Sequence, residues 1–265
     1  MRFSVIIPNY NSEKWIKKLL DSIVEQTYKD YEVIIIDDMS TDRSPELILD
    51  YIKDRHLQEN FYFYQLEEKG WNGGTRNAGV ELADGEYILF ADCDDWFNDE
   101  YCFEEIASII DRRHPDCVRL PYSFTVGNSQ KAMILKENTP QKLAGTIFVA
   151  PWTKCIKKEL FVPFPENTLL EDVVQHIAQV DKIETIELCD RPIIVWNRKN
   201  PEAISAVGHK YRVDDKRYTS IYRNLADLLD LRCTHDYCEA ERQKRIAFYF
   251  DIVHNAKEGT IVERG

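Results

Sequence analysis

Strand-like and helix-like patterns alternate through the first 113 residues of the chain. Four short runs rich in β-branched and aromatic residues have the length of strands covered on both faces: residues 3–8, 31–36, 61–66 and 87–91. Apolar residues at helical spacing follow each run, in helices predicted to begin at Ser12, Ser44, Gly73 and about Asp99. Repeats of this kind imply parallel strands joined by right-handed helical crossovers. The sequence therefore predicts an α/β fold with an open, mostly parallel sheet flanked by helices.

The second half of the chain is less regular. Strand patterns occur at 117–124 and 132–136, which would form a hairpin, and again at 191–198. Residues 150–161 resemble a loop that enters a short helix, and residues 170–180 carry a helical pattern.

The pattern from about Asp214 onward is helical in two long segments. We therefore predict a main domain over residues 1–212 and a small C-terminal helical extension over 213–265. The extension would pack on the main domain or dimerise beside it.

Aspartates follow two of the predicted strands, at the points where those strands end. Asp37 and Asp38 come after the second strand, and Asp92 and Asp94 after the fourth. Ligands bind beyond the carboxyl ends of the strands in open α/β sheets, so these acids are expected to share one rim. Mg²⁺ or Mn²⁺, which prefer oxygen ligands, would remove the repulsion between the carboxylates. The alternative is a solvated acidic turn before a helix N-terminus, where aspartates are favourable whatever their function.

The charge balance limits the partners of the chain. Lysine and arginine total 34 against 46 acids, a net charge of −12, which argues against a broad nucleic-acid-binding surface. A polar segment follows the first strand instead of a signal-peptide pattern, and no stretch has the roughly 18 apolar residues of a membrane span. Seven scattered cysteines without a Cys-x-x-Cys pair indicate reduced thiols. These features favour a cytoplasmic protein.

Five motifs occur in a fixed order along the chain. They are "VIIPNYN" at 5–11, "IIDDMSTD" at 35–42, "KGWNGGTRNAGV" at 69–80, "FADCDDW" at 90–96 and "LLEDVVQH" at 169–176. Together they resemble the family 2 glycosyltransferases, which are inverting enzymes of the GT-A fold that use nucleotide sugars. The resemblance is close over residues 3–95 and looser to about Gly208.

The resemblance implies a nucleotide-sugar site. Its predicted members are Pro8, Tyr10, Asn11, Asp37, Asp38, Asn72, Gly73, Arg76, Asp92, Cys93 and Arg198. Tyr10 would offer a flat face to a uracil ring, and Pro8 would end the first strand. Arg76 would supply a fixed guanidinium, or pair with Asp92 structurally, or both. Arg198 would neutralise the leaving diphosphate.

The resemblance also implies the residues that perform the reaction. Asp94 and His209 are the predicted metal ligands, and a surface histidine is the alternative for His209. Asp172 is the predicted general base and Glu171 its neighbour at the helix start, although acids are favourable there for helix stability alone.

Trp152 and Lys154 are predicted to line the acceptor side, against the alternative of a core tryptophan.

The predicted activity is metal-dependent, inverting transfer of a hexosyl or N-acetylhexosaminyl group from a UDP-sugar. UDP is favoured by the resemblance. The acceptor would be a hydroxyl of a glycan, a polyol-phosphate or a lipid-linked molecule in cell-envelope polysaccharide synthesis. The resemblance leaves open a peripheral position at the inner face of the membrane and a homo-oligomer formed through the C-terminal helices.

Two other functions remain as alternatives. The first is a nucleotide-sugar-binding protein without catalysis, against which the intact Asp-x-Asp and Glu-Asp motifs count. The second is an NAD-dependent oxidoreductase, but "PNYNSE" stands where a Gly-x-Gly-x-x-Gly loop would follow the first strand.

Overall fold

The computed structural model describes residues 1–146, 149–201, 210–212, 216–255 and 261–263. Its strands are β1 (Phe3–Asn9), β2 (Tyr31–Asp37), β3 (Phe61–Gln65), β4 (Tyr87–Phe90), β5 (Trp96–Phe97), β6 (Cys117–Arg119), β7 (Tyr122–Val126), β8 (Ser129–Met133), β9 (Lys154–Lys157), β10 (Ile186–Leu188), β11 (Ile194–Trp196), β12 (Lys210–Arg212) and β13 (Ile261–Glu263). Its helices are α1 (Ile16–Val24), α2 (Ser44–Asp54), α3 (Trp71–Leu82), α4 (Cys102–Arg113), α5 (Pro140–Ala144), α6 (Glu171–Val180), α7 (Lys216–Asp230) and α8 (Asp236–Asn255).

The main sheet confirms the predicted α/β fold. In the described part of the chain it has seven strands in the order β10-β6-β9-β4-β1-β2-β3. β6 and β10 form one parallel pair, and the four strands predicted from the first half, β1 to β4, are parallel to one another. Their side chains are mostly apolar and form the centre of the largest buried cluster. The carboxyl ends of β1, β2 and β4 therefore lie side by side.

The first strand continues one residue beyond its predicted end. Pro8 lies inside β1, paired with Ile36 of β2, and the strand ends at Asn9. The β1–β4 pairing stops at Ile6, whose carbonyl accepts the Ala91 amide. Residues two apart in a strand direct their backbone groups to the same side, so the Pro8 nitrogen, like the Ile6 carbonyl, is on the side of β4. The pairing with β4 has already ended there, so no sheet hydrogen bond is lost at the proline. The proline therefore does not interrupt the sheet.

The helices of the first half lie where the periodicity predicts them, with two local corrections. Ser12 does not cap α1, because its hydroxyl donates to the Asn9 side chain and α1 begins at Ile16. Leu47 of α2 is exposed, whereas Ile48 and Ile52 face the core.

Residues 154–157 form a strand in the middle of segment 150–161, where a loop and short helix were predicted. The strand β9 lies between β4 and β6 and runs antiparallel to both. It is flanked by single 3₁₀ turns at Pro151–Thr153 and Lys158–Leu160. Because of its direction, β9 has its first residue, Lys154, at the same rim as the carboxyl end of β4.

A second sheet has the strand order β5-β11-β7-β8 in the described residues. A hairpin is present as β7 and β8, but its bounds differ from the prediction, because the predicted strand at 117–124 divides into β6 of the main sheet and β7 of the second sheet. β11 runs parallel to β7. β5 follows the acidic motif directly and pairs with β11, so this sheet begins next to the acids.

The two C-terminal helices share a buried cluster with α6. Ile177 of α6, Leu228 of α7 and Ile252 of α8 are all members of it, and each is almost fully buried. The predicted boundary after residue 212 stays a prediction. None of the helices in the described ranges is long and apolar enough to cross a bilayer. The seven cysteines are all free thiols.

Two adjacent leucines of α7 test this packing. Leu228 is 0% exposed and Leu229 is 51% exposed. We expect Leu228→Ala to lower the free energy of unfolding by about 2–5 kcal/mol, because it leaves a cavity between α6, α7 and α8. Leu229→Ala should change it by less than about 0.5 kcal/mol. Urea unfolding of both variants measures the difference, and equal effects would show that α7 does not pack as described.

Candidate active site

Asn9 and Asp37 connect the ends of the two central strands. The Asn9 Nδ2 atom donates to Asp37 Oδ1 at 2.6 Å, and both residues are fully buried. Asp37 also accepts bonds from the Ser40 amide, the Ser40 hydroxyl and the Gln65 side chain. A carboxylate has about four acceptor positions, and all four are used within the protein. Asp37 therefore holds the rim loops together, and its predicted contact with the nucleotide stays a prediction.

Asp38 and Tyr10 belong to the same pair of loops, but the Asp38 side chain is buried whereas Tyr10 is exposed. Asp38 Oδ1 accepts the Gly70 amide at 2.6 Å, and its Oδ2 is 3.2 Å from Lys69 Nζ. Lys69 Nζ also lies 3.0 Å from the centroid of the Tyr10 ring, and Tyr10 is 49% exposed. A cation over an aromatic face is favourable. The sequence prediction missed Lys69, which occupies one face of the ring expected to stack on uracil.

Asn11 joins the loop after β1 to the loop after β2. Its side-chain oxygen accepts the Thr41 amide at 2.8 Å, and its own amide donates to Ser40. Its φ of 50° is left-handed, a conformation that asparagine tolerates better than most residues. Asn11 thus shapes the loop on which Tyr10 stands.

The start of α3 lies against the segment that leads into α6. A Cβ atom on Gly73 would come within 2.4 Å of the Pro165 carbonyl oxygen and 3.3 Å of Glu171. Packing therefore explains the glycine at position 73, because only a residue without a side chain lets the two backbones come this close. Asn72, beside it in the first turn of α3, is half-buried.

Arg76 joins the acidic motif to α6. Its Nη2 donates to Asp92 at 2.9 Å and its Nη1 to Glu171 at 2.6 Å. The guanidinium is 4% exposed and lies over the Phe164 ring. The Arg76–Asp92 pair confirms one of the two expectations for this residue. The two carboxylates raise the pKa of Arg76 despite its burial, so it stays charged.

The acidic motif after β4 has its three carboxylates in different environments. Asp92 is bound to Arg76 and is half-buried. Asp94 accepts the Asn200 amide group at 2.7 Å, and buried Asp95 accepts the Asn197 backbone amide at 2.7 Å. Burial raises the pKa of Asp94, and the Asp92 charge adds to this effect.

Cys93, between the acids, has no thiolate character. Burial and the charges of Asp94 and Asp92 raise the pKa of its thiol. The thiol therefore adds no negative charge to the motif.

The donor chemistry fits a divalent cation that takes few protein ligands. Asp94 forms no ion pair with the described lysines and arginines, and its pKa is raised by burial and, to a smaller extent, by the Asp92 charge. Within the described ranges, no three His, Cys, Asp or Glu side chains are grouped to hold a metal ion. Mg²⁺ commonly uses one or two carboxylates and completes its shell with water and phosphate oxygens. The predicted second ligand, His209, lies outside the described residues.

The helix α6 begins with the two acids of the fifth motif. Leu170 precedes them with a left-handed φ of 63°, which sets the direction of the first turn. Glu171 is buried against Arg76, whereas Asp172 is half-buried. Burial raises the pKa of Glu171 to about 7, with the Asp172 charge adding to the rise and Arg76 opposing it. The two neighbouring acids therefore have different surroundings.

Trp152 and Lys154 are both buried in this structure. Trp152 packs edge-on against Tyr122, with ring centroids 5.2 Å apart. Lys154 Nζ donates to the carbonyls of Val149 and Ala150 and lies 3.4 Å from His176 Nδ1. Burial lowers the pKa of Lys154 to about 7. A direct contact of either side chain with an acceptor stays a prediction.

Arg198 lies on the second sheet. Its guanidinium is 5.2 Å from the Phe124 ring and 5.3 Å from the Trp196 ring, and its amide donates to Thr125. The side chain is exposed. Its predicted contact with the leaving diphosphate stays a prediction.

Comparison with known proteins agrees with this geometry. A family model described as glycosyl transferase family 2 matches residues 4–159. Poly(ribitol-phosphate) beta-N-acetylglucosaminyltransferase TarS of Staphylococcus aureus is 35% identical over 144 residues, which are 53% of this chain and 24% of TarS. Poly(ribitol-phosphate) beta-glucosyltransferase of Bacillus spizizenii is 43% identical over 102 residues, which are 38% of this chain and 16% of that protein.

The same similarity is present in three dimensions. The crystal structure of S. aureus TarS 1-349 in complex with UDP-GlcNAc has a TM-score of 0.74 and 26% identity. The match covers 94% of this chain and 72% of that chain. The predicted GT-A fold is therefore confirmed. The 144 matched residues span about a quarter of the length of full TarS.

Proposed function

Since this chain is a member of glycosyl transferase family 2, we propose that it transfers a hexosyl or N-acetylhexosaminyl group from a UDP-sugar to a polyol-phosphate polymer. The similar TarS structure contains UDP-GlcNAc, which supports a UDP-sugar donor. Two relatives are named for transfer to poly(ribitol-phosphate), which supports an acceptor built of polyol phosphates. Inversion at the anomeric carbon and dependence on a metal ion belong to the same proposal.

The observation that carries this proposal is the double ion pair of Arg76. It joins Asp92, on the side assigned to the donor, to Glu171, which stands beside the proposed base. The second contact fixes the start of α6 relative to the donor side, as a transfer reaction requires.

On the donor side, Tyr10 and Asp38 would contact the nucleobase or ribose. Lys69 covers one face of the Tyr10 ring, so the base would stack on the other face or Lys69 would move aside. Asp92, oriented by Arg76, would contact the ribose. Asp94 would hold a Mg²⁺ or Mn²⁺ ion, with His209 as its proposed partner. When bound, such an ion stabilises the negative charge of the departing diphosphate.

On the acceptor side, Asp172 would act as the general base. An acceptor hydroxyl oxygen attacks the anomeric carbon opposite the leaving diphosphate, and Asp172 takes the hydroxyl proton. The new glycosidic bond forms as the bond from the anomeric carbon to the diphosphate oxygen breaks. Glu171 would serve as a positioning residue, since its carboxylate is bound to Arg76 at 2.6 Å.

The oxidoreductase alternative loses its support, because the chain belongs to a glycosyltransferase family and lacks a dinucleotide-binding loop after β1. Binding without catalysis remains as the second candidate, and turnover of a UDP-sugar separates it from the first. Cytoplasmic location, contact with a membrane and oligomerisation stay predictions.

Metal removal tests the role of Asp94. We expect UDP to raise the melting temperature much more in Mn²⁺ than in EDTA, because ligand binding to the native state stabilises it. Asp94→Asn should remove this difference. Asp84→Asn is the matched control, since Asp84 is an exposed aspartate at the opposite end of β4. Equal stabilisation by UDP with and without the ion would remove Asp94 from a metal role.

The base assignment is tested by acceptor-dependent release of UDP. We expect Asp172→Asn to keep its affinity for the UDP-sugar and its melting temperature, while transfer falls about a hundredfold or more. Glu171→Gln should lower the transfer rate less than this. Near-normal transfer by Asp172→Asn would reject Asp172 as the base, and a collapse of its stability would indicate a structural residue.

A further inference from the structure

Two segments of the second sheet differ in charge from the rest of the chain. Residues 117–136 and 191–201 together contain six lysines or arginines and no acid, although acids outnumber bases 46 to 34 overall. They supply β7, β8 and β11, which are adjacent strands. Of the six, Arg119 is buried and Arg191 is paired with Asp99 and Glu105. The other four are exposed: Lys131, Lys136, Arg198 and Lys199. These four cations make the region locally basic on an acidic protein, and a surface of this kind attracts polyanions.

An aromatic and cationic platform lies on this surface; it consists of Phe124, Trp196, Arg198 and Lys131. Phe124 is the register partner of Trp196 on β11 and of Lys131 on β8, so the three side chains share one face of the sheet. The Arg198 guanidinium lies 5.2 Å and 5.3 Å from the two rings. Both rings are half-buried, and both cations are exposed.

The platform is connected directly to the acidic motif. Two residues close to Arg198 in sequence donate to the acids: the backbone amide of Asn197 to Asp95 and the side-chain amide of Asn200 to Asp94, each at 2.7 Å. Trp196 also packs 6.4 Å from Trp152, the tryptophan that precedes β9 at the rim. A chain lying on the platform would therefore lead toward the site of transfer.

We propose that the platform of Phe124, Trp196, Arg198 and Lys131 binds the phosphodiester backbone of a polyol-phosphate acceptor. The planar guanidinium matches a phosphate group with two parallel hydrogen bonds, and the rings offer apolar faces to the carbon chain between phosphates. The proposal rests on the proposed function and adds to it the surface that recognises the acceptor.

This assignment gives Arg198 a different ligand from the leaving diphosphate predicted from the sequence. The two roles differ in a measurable way. A diphosphate contact affects the KM for the UDP-sugar, whereas a platform contact affects the KM for the acceptor. The stacked position of the guanidinium on the acid-free sheet favours the acceptor.

The test uses the full chain and a short ribitol-phosphate oligomer with a fluorescent label. We expect Arg198→Ala to weaken oligomer binding by about tenfold or more, with a smaller loss for the exposed Lys131→Ala. Arg198→Lys should be intermediate, because it keeps the charge but loses the planar fork. Binding by the wild type should weaken as salt is added, and binding by the Arg198→Ala/Lys131→Ala double variant should depend less on salt.

The control is Arg112→Ala, which removes an exposed cation from α4, outside the second sheet. It should leave oligomer binding unchanged, and neutral ribitol should not compete with the oligomer. Unchanged oligomer binding by the double variant, or an increase in the KM for the UDP-sugar alone, would overturn the proposal. So would loss of binding to anionic lipid vesicles without loss of oligomer binding, since the surface would then contact a membrane. Stabilisation by UDP, measured separately, reports on the proposed function itself.

Discussion

The buried guanidinium of Arg76 is the interaction on which the site depends. Arg76 lies on α3 and binds two carboxylates. One is Asp92, 16 residues after it and just beyond β4, and the other is Glu171, 95 residues after it at the start of α6. A buried charge without partners is strongly unfavourable, so the three elements are stable in one relative position. Gly73 allows the backbone of α3 to lie close to the segment before α6, because any side chain at this position would collide with the Pro165 carbonyl. The donor side and the proposed base are thereby held as one unit.

The rim has an acidic side and a basic side, and the topology explains why they meet. Parallel strands β1, β2 and β4 end in Asn9, Asp37 and the acidic motif, which together form the proposed donor side. The chain then continues through β5 into the second sheet, whose three other strands lie in acid-free segments. In this account the acids serve the metal ion and the nucleotide, and the basic sheet serves a polyanionic acceptor. The separation would keep the phosphates of such an acceptor away from the carboxylates that would repel them.

The parts of the fold that follow from local patterns could be predicted from the sequence. Strands β1 to β4 have apolar runs of sufficient length, and the acids at their ends mark the rim. The strand β9 was missed, because four residues that include two lysines give no strand pattern. The partners of Asp37 and the position of Lys69 over Tyr10 depend on the register of distant loops, which periodicity does not contain. Pairing of Arg76 with Asp92 was one expectation, but its pairing with Glu171 joins residues too far apart in sequence to be predicted.

The most direct test of the central claim is a double-mutant cycle on Arg76 and Glu171, measured by equilibrium unfolding. Arg76→Met alone should lower the free energy of unfolding by about 3–5 kcal/mol, because it leaves the buried Glu171 and the half-buried Asp92 without a cation. Adding Glu171→Gln to Arg76→Met should restore part of this loss, with a coupling energy of about 1–3 kcal/mol between the two positions. Additive effects, with no coupling beyond experimental error, would contradict the account, because Arg76 would then not hold α6 to the donor side.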